Sequence, residues 1–217
     1  INLHTRQKVQ ECAEKLGYRS NTFASNLRTK RTNTIGVIVP RLDSNFMSAC
    51  LAGMEEIANK YGYNMIISQS HESAKKEEQN ALTMYNKRVD GLIVSLTSEE
   101  SDLSYFKQFK SKNVPVVFFD RVPYETENVC FVIDNYKVAA NATKHLIEQG
   151  CKNLLHITIQ SNSNVYSERA RGFTEMVNKC NNCKGDILRL DSLSLENGQT
   201  IVDKILKMKP IPDGLFV

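Results

Sequence analysis

The chain has 217 residues, of which 41% are hydrophobic and 24% charged. That is enough for one large α/β domain or two small ones, each with its own core. No apolar run approaches the roughly 18 residues of a membrane span, so no bilayer-crossing segment is expected. The charged stretch 1–17 also lacks the apolar centre of a secretory signal. The net charge of +4 is unevenly placed. Residues 1–31 hold seven of the 28 basic side chains (Arg6, Lys8, Lys15, Arg19, Arg28, Lys30, Arg31) and two of the 24 acidic ones (Glu11, Glu14). The remaining 21 basic and 22 acidic residues leave the body nearly neutral. A basic segment on a neutral body is a nucleic-acid footprint, with a solvated basic tail as the alternative.

In chain order, the spacing of Val9, Cys12, Ala13 and Leu16 predicts a helix over 5–16, closed by Gly17. Three turns with so little apolar surface need partner helices, which we expect upstream of Ile1. Residues 21–28 are a second, shorter helical candidate, with Asn21 as N-cap and Phe23, Ala24 and Leu27 on one side. The polar, basic stretch 28–34 reads as a linker.

From Ile35 the character changes. The run Ile35-Gly-Val-Ile-Val39 suits a parallel strand buried on both faces. A helix is expected over 45–61, with Leu51, Met54, Ile57, Ala58 and Tyr61 as its apolar stripe, and Gly62 ends it. Strand 63–67, helix 75–87, strand 91–94, helix 102–112 and strand 116–119 follow. The pattern then restarts with strand 131–133, helix 135–149, strand 153–159, helix 165–180, strand 186–190, helix 194–208 and a strand opening at Gly214. Regular alternation means right-handed βαβ units. The fold class is therefore α/β, with two doubly wound parallel-sheet lobes that change over near Ile133. The second lobe has few strands, so the sequence is expected to be cut at this end as well.

The six cysteines (Cys12, Cys50, Cys130, Cys151, Cys180, Cys183) are scattered, and reduced thiols are the expectation. Cys180-Asn-Asn-Cys183 has CxxC spacing. A zinc site would want a second pair, and a redox motif would want a strand-to-helix junction, whereas this one follows a helix. No GxGxxG, GxxxxGK(S/T) or GxSxG motif is present, and His4, His71, His145 and His156 are dispersed. We therefore expect no enzyme, no catalytic residues, no metal and no cofactor.

Several stretches together resemble a known family. Thr5-Arg-Gln-Lys-Val9 with Leu16-Gly-Tyr-Arg-Ser-Asn21 is similar to the end of the headpiece of lactose-repressor-type (LacI/GalR) bacterial regulators. Thr34-Ile-Gly-Val-Ile-Val-Pro40 resembles the first core strand, and Ser44-Asn-Phe-Met47 stands where the family has NPFF. Val89-Asp-Gly-Leu-Ile93, Pro115-Val-Val-Phe-Phe-Asp-Arg121, Val132-Ile-Asp-Asn135, His145-Leu-Ile-Glu-Gln-Gly150 and Glu168-Arg-Ala-Arg-Gly-Phe173 follow in family order. Taken alone, Val89-Asp-Gly91 reads as a turn before a strand, and Gly150 and Gly172 as structural glycines.

The resemblance implies a periplasmic-binding-protein-like, type I core behind a helix-turn-helix headpiece and a hinge helix. The implied division is 1–20 for the end of the headpiece, 21–33 for hinge and linker, 34–132 for the N-terminal lobe and 133–217 for an incomplete C-terminal lobe. The implied function is a repressor-type transcriptional regulator whose operator affinity is set by a sugar or sugar-like effector. The implied partners are a pseudo-palindromic operator and a second copy of the chain, in the cytoplasm at the nucleoid. An extracytoplasmic sugar-binding protein of the same core fold is the alternative. By resemblance, Leu27 is the wedge that enters the minor groove, Ala24 and Arg28 face that groove, and Tyr18 and Asn21 contact the backbone. Ser25-Asn26 departs from the family pattern, which leaves no base readout for Ser25. Ligands of open α/β sheets sit beyond the carboxyl ends of the strands. That places Phe46, Met47, Asp120, Arg121, Ser163 and Arg169 at an effector cleft. A carboxylate and guanidinium forks can grip neighbouring hydroxyls bidentately. Asp120 and Arg121 could equally pair with each other, and Asp134 could serve the crossover between lobes.

Overall fold

The structure, a computed structural model, describes residues 2–16, 31–97, 103–124, 127–161, 163–191 and 195–217. The elements in order are α1 (Leu3–Lys15), β1 (Thr34–Val39), α2 (Asn45–Lys60), β2 (Asn64–Gln69), α3 (Ala74–Asn86), β3 (Gly91–Val94), α4 (Ser104–Ser111), β4 (Val116–Phe119) and β5 (Val129–Phe131). After them come α5 (Asn135–Glu148), β6 (Asn153–Ile159), α6 (Asn164–Asn178), β7 (Lys184–Leu190), α7 (Leu195–Leu206) and β8 (Gly214–Phe216). Helix α1 leaves Leu3, Val9 and Leu16 exposed. The candidate helix 21–28 and the DNA-contacting candidates Tyr18, Asn21, Ala24, Leu27 and Arg28 lie outside the described residues.

Two parallel sheets form, in the orders β2-β1-β3-β4-β5 and β7-β6-β8. The first three strands of each lobe thus repeat one arrangement. The same chemistry closes both repeats. Asp90, just before β3, accepts from Thr32 N (3.0 Å) and Asn33 N (2.8 Å) ahead of β1. Asp213, just before β8, accepts from Lys152 N (2.9 Å) and Asn153 N (2.8 Å) at the start of β6. Those amide donors hold the Asp213 carboxyl below the usual carboxylate range. The turn expected at Val89-Asp-Gly91 is therefore also the anchor of the segment that enters β1.

Side chains of the first sheet alternate between two cores. Ile38, Leu92, Val94 and Phe118 pack with Met84, Phe106 and Phe109 of α3 and α4. Val37, Val39 and Phe119 pack on the other face with Met47 and Leu51 of α2. In the second lobe Leu154 packs with Phe173 and Val177 of α6. Gly172 lets α6 meet α5: a Cβ there would run into the backbone at Tyr136 and Ala140.

The structure revises three expectations. The strand expected at 131–133 is β5, which starts at Val129. Its register on β4 sets Val117 opposite Val129 and Phe119 opposite Phe131, and the chain then turns into α5. On α2, Leu51 and Ala58 are buried, but Ile57 and Tyr61 are exposed. They rim an apolar groove of about 700 Å³ floored by Ile35, Met65 and Ile93, because one helix does not cover that sheet face. Cys180 and Cys183 are joined in a disulfide, with a Cα–Cα separation of 5.4 Å set by the turn after α6.

Candidate functional site: the cleft between the two sheets

The carboxyl ends of β1 to β4 converge on a hydrogen-bonded rim. The Val39 carbonyl accepts from Ser70 N (2.9 Å), and the Ser70 and Thr97 hydroxyls lie 2.6 Å apart. Beneath them sits Glu77 of α3, fully buried. It accepts from Thr97 N (2.7 Å) and from the Tyr105 hydroxyl (2.6 Å). Burial pushes its carboxyl up, and the Tyr105 and Thr97 hydrogen bonds pull it back. Glu77 thereby fixes the backbone where β3 opens into the cleft.

Asp120 closes β4 in the left-handed region, at φ 59°. Burial raises its carboxyl, while Arg121 and then Arg169 favour the charged form. The buried Ser95 hydroxyl makes no well-formed hydrogen bond, yet it lies near enough to Asp120 to favour that charge as well. Arg121 does not spend its fork on Asp120. It forms a bidentate pair with Glu72 (2.7 and 3.2 Å) and lies 5.7 Å from the Tyr166 ring centre. Two successive left-handed residues, His71 and Glu72, turn the loop after β2 and bring that carboxylate round.

The second lobe presents the N-terminus of α6. Asn164 spans the cleft, donating to the Asp120 carbonyl (3.0 Å) and accepting from Val122 N (3.2 Å). Arg169, one turn further on, donates from Nε to Asn135 Oδ1 (3.0 Å) at the start of α5. The cleft thus gathers Asp120, Arg121 and Arg169, and Phe46 is exposed in the first turn of α2, which follows the Arg41–Asp43 ion pair.

Two candidates are buried and already have structural partners. Met47 packs in the core with Val37, Val39 and Phe119 and is 5% exposed, because the first turn of α2 aims it at the sheet. Ser163 is buried, and its hydroxyl caps α6 by accepting from Val165 N (3.3 Å). Asp134 likewise caps α5, accepting from Lys137 N (2.9 Å). Sequence reasoning missed Glu72, Asn135, Asn164 and Tyr166. The available signal was position: Asn135 opens a helix after the crossover, and Asn164 follows a capping serine.

Residues 32–215 match the family described as periplasmic binding proteins and sugar binding domain of LacI family. The chain belongs to this family. Among curated relatives, the ribose operon repressor of Halalkalibacterium halodurans is 28% identical over 217 residues, covering all of this chain and 63% of the relative. Catabolite control protein A of Priestia megaterium is 30% identical over 216 residues, covering 98% of this chain and 64% of the relative. The chain thus spans less than two thirds of these relatives' length. Among solved structures, the transcription regulator CcpA of Lactococcus lactis superposes with TM-score 0.72 at 27% identity, over 84% of this chain and 66% of the other. A periplasmic binding protein/LacI transcriptional regulator of Alkaliphilus metalliredigens, complexed with D-xylulofuranose, superposes with TM-score 0.70 at 25% identity, over 85% and 66%. The fold is the periplasmic-binding-protein-like core of LacI-family regulators, and the named relatives are regulators rather than enzymes.

Proposed function

We propose that the chain is the sensing part of a DNA-binding transcriptional regulator, a repressor whose operator affinity is set by a sugar held between two lobes. The lobes are 34–132 and 133–217, preceded by the end of a headpiece (1–20) and a hinge with linker (21–33). The observation that carries the sensing half is the charge-balanced cleft. Among the described residues Arg121 is matched by Glu72 and Arg41 by Asp43, while Asp120 and Arg169 attract each other. Such a site favours a neutral ligand rich in hydroxyls. Asp120 and the Arg169 fork would take neighbouring hydroxyls as acceptor and donors, and Phe46 would cover an apolar sugar face. The complex of the Alkaliphilus protein with D-xylulofuranose supports a sugar of this size.

The DNA half rests on the basic excess in 1–31 and on the hinge motif. Leu27, paired with its copy in a homodimer, would wedge a central base step of a pseudo-palindromic operator. Ala24 and Arg28 would lie in the minor groove, and Tyr18 and Asn21 on phosphates. Asp90 ties Thr32 and Asn33 to β3, so movement of the first lobe would reach the hinge through that anchor. The protein would act in the cytoplasm, at the nucleoid.

The test is operator binding by the full-length protein, with and without sugars. Leu27→Ala should weaken operator binding roughly fivefold to a hundredfold and leave sugar binding intact, because the wedge contributes on the order of 1–3 kcal/mol. Equal losses on both would remove the wedge. Sugar binding without preference for any duplex would favour the extracytoplasmic binding protein instead.

A further inference from the structure

At the end of the second lobe away from the cleft, three cysteines share one corner. Cys180 and Cys183 bracket the turn between α6 and β7, and Cys151 occupies the turn between α5 and β6. Cys151 and Cys183 pack on one cluster with Leu154, Phe173 and Val177. The lobe does not need the bridge to hold this corner together. Lys184 N already donates to Lys152 O (2.7 Å), and Asp213 accepts from Lys152 and Asn153. A disulfide closing so short a loop also restrains the unfolded chain less than any longer spacing would.

We propose that Cys180 and Cys183 are a reversible dithiol–disulfide site that exchanges with low-molecular-weight disulfides. Three observations carry this. Both sulfurs sit on half-buried residues in an otherwise exposed turn, within reach of a small molecule. Exposed Lys179 and Lys184 flank the pair in the chain, and the exposed Lys152 lies alongside, its carbonyl accepting from Lys184 N; Asp213 and Glu175 are the acidic neighbours of these lysines. Such cations favour thiolates and draw in an anionic disulfide. The reduced state is also provided for: the Cys183 sulfur faces the Cys151 carbonyl at 4.0 Å, an acceptor that a disulfide sulfur cannot use but a thiol can. The Cys151 thiol has its own acceptor, the Asp213 carbonyl at 3.3 Å, so it stays outside the exchange.

The exchange balances in two steps. One protein thiolate attacks a sulfur of the incoming disulfide, forms a mixed disulfide and expels one small thiolate. The second protein thiolate attacks the protein-side sulfur, closes the Cys180–Cys183 bond and expels the other. The pair loses two electrons and two protons, and the oxidant leaves as two thiols. The site is independent of DNA or sugar binding.

The test equilibrates the full-length protein in glutathione/glutathione disulfide buffers of graded ratio, followed by acid quench, alkylation and mass mapping. Two alkyl groups should appear together on the peptide holding Cys180 and Cys183, with a midpoint inside the buffer range. Cys50, Cys130 and Cys151 should remain alkylatable, and exposed Cys12 should take up at most one glutathione as a mixed disulfide, distinguishable by mass from the intramolecular bridge. Cys180→Ser and Cys183→Ser should each abolish the paired transition, and Cys151→Ser should leave it in place, with circular dichroism verifying the fold of each variant. A pair that stays fully oxidised or fully reduced across all buffers would overturn the proposal, as would a bridge that forms to Cys151 instead.

Discussion

Arg169 reaches the cleft from the second turn of α6, and its Nε is steadied by Asn135 at 3.0 Å. That bond orients the guanidinium and leaves its terminal nitrogens for a ligand. Hydrogen bonds from a charged donor are worth about 1.5–3 kcal/mol. Arg169→Ala should therefore weaken sugar binding roughly tenfold to a hundredfold by calorimetry, with operator affinity in the absence of sugar unchanged. Glu77 obeys the opposite economy, since burial disfavours its charge. A carboxyl raised in the folded state keeps its proton when the unfolded chain has lost it. Stability must then fall as pH rises from the ordinary glutamate value through the folded one. Glu77→Gln keeps the Thr97 and Tyr105 partners without the charge. Its stability should be flatter with pH in denaturant titrations and no lower than that of the parent at neutral pH. A large loss at neutral pH would mean that the ionised carboxylate itself is needed to hold Thr97.

Among the elements, α5 and α6 depend on one atom that is missing. Gly172 faces Tyr136 O and Ala140 N so closely that a methyl group has no room unless the helices part. Overpacking of this kind costs about 1–3 kcal/mol. Gly172→Ala should lower the melting temperature by several degrees in calorimetry, and weaken sugar binding too, because the same two helices carry Asn135 and Arg169. An unchanged melting temperature would show that the helices can separate freely. The motif containing Gly172 was legible in the sequence, and so was its structural reading. The backbone it protects was not, because Tyr136 lies 36 positions earlier in the chain. The β5 register shows the same limit. Val129 to Ile133 is apolar throughout, so periodicity cannot fix where the strand starts, and only pairing with β4 does.

For the molecule as a whole, polar contacts among the described residues join the two lobes, Asn164 of α6 bonding to the segment after β4 at Asp120 and Val122. A ligand between the lobes competes with water there and adds to stability by mass action. A neutral pentose or furanose sugar at a hundred times its Kd should stabilise the protein by about 2.7 kcal/mol. The same sugar carrying a phosphate should do less at equal concentration, because among the described residues Arg41 and Arg121 already face the carboxylates of Asp43 and Glu72. A larger thermal shift from the phosphorylated form would show that the Arg121–Glu72 pair opens to bind anions.

The sequence by itself determined the alternation of strand and helix, and it nominated a change of lobe near Ile133 and Asp120, Arg121 and Arg169 for the cleft. These are local properties: apolar periodicity, capping and turn residues, and short motifs at strand ends. Tertiary structure alone decided that Arg121 takes Glu72 as its partner, that Met47 turns into the core, that Ser163 spends its hydroxyl on a helix cap, and that Asn164 bridges the sheets. Each of those outcomes depends on which of several chemically equivalent partners the packing brings within about 3 Å, a distance set by the fold between residues far apart in the chain.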